Sequence, residues 1–159
     1  MQATPLGGNT LYFAYGANLS RAHMALWCPD AVPLVRATLP DYCLVFRCWA
    51  DIVTSQGDRV PGALYEVNLR DLAALDQFED CPVLYRRIHV RVASERMAFD
   101  AMTYQMNPGH PLALPHPDYL ELILQGYQDW KLDARPLARI EREARESIER
   151  RTQRPAGGL

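Results

Sequence analysis

Two features of the chain have the residue types and spacing that proton-transfer chemistry needs. The first is Glu79. Leu72, Leu75 and Glu79 stand at i, i+3 and i+7, so on a helix the carboxylate continues an apolar stripe. Cys81-Pro82 closes that helix and leaves Glu79 in its last turn. Burial disfavours the charged form, and so does the negative end of the helix dipole. A carboxylic acid raised toward neutral pH can accept a proton and return it, which suits general acid–base work. The competing reading has Glu79 emerge at a frayed helix end, solvated or paired with Arg86 or Arg87.

The second feature is the run Tyr12-Phe13-Ala14-Tyr15-Gly16-Ala17-Asn18-Leu19-Ser20. Leu11 to Tyr15 has strand composition and stops at Gly16, and Ser20 then reads as a helix N-cap. A strand that halts at glycine and enters a helix leaves backbone N–H groups pointing outward, able to hold an anion or a developing oxyanion. The same corner also serves as a plain connection that binds nothing. Tyr15 and Asn18 could add side-chain hydrogen bonds, or be ordinary turn residues.

Other chemistries find less support. Cys81 as nucleophile with His89 as base lacks an acid to orient the histidine. His110 and His116 share one Pro-rich loop without a third ligand in reach, so no metal is expected. The four cysteines (Cys28, Cys43, Cys48 and Cys81) form no C-x-x-C pair. Without a secretion signal they read as reduced thiols of a cytoplasmic protein.

The elements that must position these groups follow from pattern. A chain of 159 residues, 48% hydrophobic and 23% charged, suits one soluble domain, read here as 11–150 between a flexible lead-in (1–10) and a disordered tail (151–159). A net charge of -2 and the lack of a long apolar run argue against nucleic acid or membrane as partner, and leave a monomer or homodimer. Helices are expected over Arg21–Trp27, Asn68–Phe78, the stretch from Tyr119 to Trp130, and from Pro136 onward. Asn68 reads as an N-cap; Leu69, Leu72 and Leu75 mark one side of that helix, and Gly126 leaves room for close packing. Strands are expected over Ala31–Thr38 and Tyr42–Arg47, split at Pro40-Asp41, then Val60–Val67 after a turn at Ser55–Asp58. Tyr85–Ser94 and Met97–Met106 alternate as a hairpin. Short strands among few helices give a mixed α/β (α+β) fold with a mostly antiparallel, barrel-like sheet.

The string YFAYGANLS resembles the first motif of the γ-glutamylcyclotransferase family, usually Tyr-Gly-Ser-Asn-Leu, with Ala17 where serine is common. The stretch from Gly57 to Asp80 is similar to the family's second block and ends in Leu-Asp-x-x-Glu, with Asp80 where glycine often follows. Asp118-Tyr119 through Gly126 to Leu132 is similar to its late helix, and the likeness spans Leu11 to Glu141. The resemblance implies a small β-barrel flanked by helices, with Glu79 as catalytic acid/base. It implies that Tyr12, Phe13, Ala14, Tyr15, Gly16, Ala17, Asn18 and Leu19 cradle the γ-glutamyl group, and that Tyr119 touches substrate. As a bare feature Tyr119 is a core aromatic with its hydroxyl at the rim. The implied reaction turns the α-amine of a γ-glutamyl amide onto its γ-carbonyl, releasing 5-oxoproline and an amine, without cofactor or metal. A binding or regulatory module on the same fold is the alternative. Nothing in the sequence chooses among γ-glutamyl amino acids, γ-glutamyl amines, glutathione or a tagged biosynthetic intermediate.

Overall fold

The computed structural model describes residues 8–154. Its largest feature is a hairpin of β2 (Val32–Arg47) and β3 (Trp49–Val67), closed at Cys48 with φ 67°. Each strand is longer than sequence punctuation suggests. The expected break at Pro40-Asp41 is a bulge: Pro40 pairs with Arg59 and Tyr42 with Thr54, so residues 55–58 loop out opposite Asp41. Gly57 takes φ 85° there and donates its N–H to the Asp41 carboxylate at 2.9 Å. The turn signal was therefore real, but it marks an excursion within one strand rather than a strand boundary.

With β1 (Thr10–Ala14), β4 (Tyr85–Ala93) and β5 (Ala98–Met106), the hairpin closes a barrel in the order β1-β3-β2-β4-β5. Every pairing is antiparallel except β1 with β5. The barrel closes through the bridges Thr38 with Ala93 and Tyr12 with Met102, and the outer part of the hairpin, from Tyr42 to Thr54, extends beyond it. Phe13, Phe46, Ile52 and Leu64 are fully buried. Gly62 on β3 permits the crossing of β1, because a Cβ there would lie 2.4 Å from the Ala14 carbonyl oxygen and 2.5 Å from the Phe13 ring.

Four helices pack outside: α1 (Arg21–Trp27), α2 (Leu69–Phe78), α3 (Pro117–Asp129) and α4 (Arg135–Gln153). Ser20 caps α1 by accepting from the His23 N–H, and His116 caps α3 by accepting from the Asp118 N–H at 3.1 Å. Asn68 and Asp71 form a reciprocal capping box on α2. Leu72 and Leu75 are buried as expected, whereas Leu69 is 76% exposed because it precedes the turn that faces the barrel. The expected lead-in and tail fall mostly outside the described residues. Within them, Thr10 already belongs to β1 and residues 151–153 continue α4. No helix among the described residues is long and apolar enough to cross a membrane.

Candidate active site

Helix α2 ends against the mouth of the barrel, and the manner of its ending sets the site. Glu79 is its C-cap, with its N–H bonded to the Leu75 carbonyl at 2.9 Å. Asp80 then takes φ 49°, a left-handed turn that glycine adopts freely and aspartate tolerates. One turn earlier, Asp76 anchors the helix to the sheet: its carboxylate accepts from Arg87 Nε at 2.8 Å and from the Tyr104 hydroxyl at 2.6 Å. Arg86 donates to Gln105 and to the Met106 carbonyl. Both arginines that could have neutralised Glu79 are thus committed elsewhere.

Glu79 lines a cleft of about 210 Å³. It keeps some accessible surface because the cleft is open, yet its carboxylate stands among aromatic rings. Burial pushes it from the ordinary 4.5 up to about 8. Among the described residues its one hydrogen-bond partner is Asn18, whose Nδ2 donates to Glu79 Oε1 at 3.4 Å and to the Tyr12 hydroxyl at 3.1 Å.

Five tyrosines wall this space, and their hydroxyls are engaged. Tyr15 donates to the Tyr104 carbonyl at 2.5 Å and Tyr85 to the Ala50 carbonyl at 2.6 Å. The Tyr119 oxygen receives the Ala50 N–H at 3.0 Å. Desolvation pushes the hydroxyls of Tyr12, Tyr15, Tyr85, Tyr104 and Tyr119 upward in pKa, so they remain neutral phenols. One acid with a raised pKa among neutral hydrogen-bonding groups is an arrangement for moving a proton near neutral pH.

The turn after β1 is a 3-10 turn over Ala17–Leu19. Of the N–H donors expected from Gly16 to Leu19, that of Leu19 is taken by the Gly16 carbonyl at 3.0 Å. The Ala17 N–H faces the Tyr119 oxygen. Gly16 has φ -119°, so a left-handed backbone is not its purpose. Its purpose is proximity: a Cβ there would lie 3.2 Å from Tyr119 Oη and 3.2 Å from Ala50 Cβ.

The family model described as Gamma-glutamyl cyclotransferase, AIG2-like, matches residues 12–132. The chain belongs to this family. It is 32% identical over 137 residues to Gamma-glutamylcyclotransferase of Bos taurus, covering 77% of this chain and 72% of the relative. Gamma-glutamylcyclotransferase of Homo sapiens is 32% identical over 133 residues, with 75% and 70% covered. A solved structure named Gamma-glutamyl cyclotransferase superposes with a TM-score of 0.72 at 28% identity, covering 86% of both chains.

In this γ-glutamylcyclotransferase-family chain, the residues singled out in the sequence separate into two groups. Tyr12, Tyr15, Gly16, Ala17, Asn18, Glu79 and Tyr119 line the cleft together. Phe13, Ala14 and Leu19 do not; each is fully buried and packs into the core. Alternation explains Phe13, which points to the opposite face of β1 from its neighbours. Cys81 and His89 do not behave as a catalytic pair: burial and Asp76 push the Cys81 thiol upward, away from activation, and His89 is exposed on β4.

Sequence reasoning missed Trp49, Ala50, Phe78, Leu84, Tyr85 and Tyr104, all of which line the cleft. Tyr85 and Tyr104 did carry a signal, since a tyrosine at an inward strand position needs a hydroxyl partner. Trp49 and Ala50 did not, because they arrive from the far end of a hairpin whose length was not legible.

The contact distances at Gly16 set an expected contrast. Gly16→Val should lower kcat/KM by ~10-fold or more, because its branches press on the Tyr119 hydroxyl and Ala50 that shape the cleft. Ala17→Ser should be nearly silent. Steady-state kinetics with melting curves for both variants decide this; an unaffected Gly16→Val would show that the turn does not shape the site.

Proposed function

We propose that the protein is an enzyme that cyclises γ-glutamyl amides, releasing 5-oxoproline and the amine. The observation that carries this reading is Glu79: one carboxylic acid, raised to about 8 by burial, beside Asn18 and Tyr12 in a cleft walled by neutral tyrosines.

The step balances with the substrate and Glu79 alone. The Glu79 carboxylate takes a proton from the substrate's α-ammonium, freeing the amine lone pair. That nitrogen attacks the γ-carbonyl carbon, forming the ring C–N bond and a tetrahedral oxyanion. Collapse breaks the bond to the leaving nitrogen, which receives the proton from Glu79. The regenerated carboxylate then takes the second proton from the ring nitrogen, leaving a neutral lactam, and passes it to the departing amine, which is released as an ammonium ion. Nucleophile and electrophile belong to one molecule, so orientation can supply ~7–11 kcal/mol of the barrier. The Asn18 N–H serves the oxyanion or the α-carboxylate together with the Tyr119 O–H, whose oxygen already accepts the Ala50 and Ala17 N–H groups and leaves its hydrogen free to donate.

The pH dependence follows from the raised acid. The base form of Glu79 is the one that starts the reaction, so kcat/KM should rise with pH through an inflection near 8 and level off above it. Rates of 5-oxoproline release from a γ-glutamyl amide between pH 5 and 9 test this. An inflection at the ordinary carboxylate value would mean that Glu79 is solvated and the proposed role fails; no release from any γ-glutamyl compound would favour a binding module.

A further inference from the structure

We propose that the outer end of the cleft is an apolar leaving-group subsite, made by Trp49, Phe78 and Leu84, which selects γ-glutamyl amides of apolar amines that carry no carboxylate. This rests on the cyclisation reading above.

The cleft is graded from inside to outside. Tyr12, Tyr15, Asn18, Ala50, Tyr85 and Tyr104 are buried and form its inner wall. Trp49 is 45% exposed, and Phe78 and Leu84 are half-buried, so these side chains form the rim. The polar groups that suit a γ-glutamyl head are Glu79, Asn18 and the Gly16 turn; Asn18 is buried, and it holds the Glu79 carboxylate and the buried Tyr12 hydroxyl together. The departing half of the substrate is left to the rim.

The rim's rings are held in place from two sides. Trp49, at the tip of the β2–β3 hairpin, meets the Tyr119 ring edge-on at 4.9 Å. Phe78, at the end of α2, packs at 4.9 Å against Trp27 and at 5.2 Å against His23. Fixed aromatic surface of this kind favours an apolar group without further ordering cost.

Charge points the same way. Among the described residues no lysine, arginine or histidine lines the cleft. The guanidinium of Arg47 donates to Asp51 at 3.2 Å and to the His110 carbonyl at 2.6 Å, and that of Arg87 is held by Asp76. Burial pushes the His23 imidazole behind Phe78 down in pKa, so it favours the neutral form. A carboxylate on the leaving group would therefore lose water without gaining a counter-ion, beside an acid that must itself ionise. A phenyl or alkyl group meets Trp49, Phe78 and Leu84 instead.

The test is 5-oxoproline release by the full chain from γ-glutamylphenethylamine, γ-glutamylbutylamine, γ-glutamylalanine and γ-glutamylglutamate. We expect kcat/KM for the phenethylamide to exceed that for γ-glutamylglutamate by ~10–200-fold, the range for an apolar substituent in a matched pocket. Trp49→Ala should shrink that ratio to within ~3-fold. Trp49→Arg, which adds a guanidinium at the rim, should shift the preference toward γ-glutamylglutamate. Circular dichroism confirms that each variant is folded, and at 45% exposure Trp49 is a tolerant site. Equal rates on the acidic and apolar substrates, or a ratio unmoved in both folded variants, would overturn the subsite while leaving cyclisation standing. No product from any of the four would overturn the cyclisation reading, and the subsite with it.

Discussion

Glu79→Gln is expected to lower the rate of 5-oxoproline formation by at least ~100-fold, the low end for removal of a general acid–base group. Glutamine keeps the shape of the side chain and an oxygen that accepts from Asn18 Nδ2, so the contact at 3.4 Å survives. What it cannot do is carry a proton. Substrate binding should therefore persist while turnover is lost, and single-turnover assays beside a binding measurement separate the two. A rate within a few-fold of wild type would remove Glu79 from the mechanism.

The same variant gives a second, independent readout through stability. Glu79 titrates near 8 in the native state and near its ordinary 4.5 when unfolded. Between these values the native chain holds a proton that the unfolded chain has released. Raising the pH through that window therefore costs the wild type stability. Glu79→Gln has no such proton, so its melting temperature should overtake that of the wild type as pH rises from about 5 to 8. Parallel pH profiles for the two proteins would mean that the carboxylate is not desolvated.

How much of this was legible in the sequence depends on the distance over which each residue acts. Local signals carried well. The Asn68 cap, the Leu72–Leu75–Glu79 stripe, α1 and the β4–β5 hairpin each rest on neighbours within one or two turns. The β2–β3 hairpin did not, because its bulge is held by a contact between Asp41 and Gly57, which proline and glycine signals mark as two breaks. The site shows the same division. Glu79 stood out because it violates the pattern of its own helix. Its isolation was not legible: that depends on Asp76 engaging Arg87 and Tyr104 from β4 and β5. The aromatic wall around it comes from elements that meet only when the barrel closes.

The late helix α3 ties the site turn to the body of the protein, and Gly126 is where it does so. Trp130 at its end donates Nε1–H to the Leu19 carbonyl at 2.9 Å, which fixes the turn from one side. Gly126 receives the turn from the other: a Cβ there would lie 2.3 Å from Leu19 Cβ, 2.6 Å from the Leu19 carbonyl carbon and 2.7 Å from the Ser20 nitrogen. Two of those atoms are backbone and cannot rotate away. Alanine is the better helix former by about 1 kcal/mol, which opposes the clash. Overpacking a closed interface costs about 1–3 kcal/mol and occasionally more, so the clash should win. Gly126→Ala is therefore expected to lower the melting temperature by several degrees, at ~2–4 °C per kcal/mol for a chain of this size. Because the displaced atoms belong to the residues that follow Asn18, kcat/KM should fall as well, through loss of the Asn18 contact to Glu79. Gln125→Ala, one residue away on the exposed face of α3, is the control and should change neither quantity. If Gly126→Ala instead raises the melting temperature as a plain helix-propensity gain and leaves kinetics untouched, then α3 does not press on the turn, and the site is held by β1 and α2 alone.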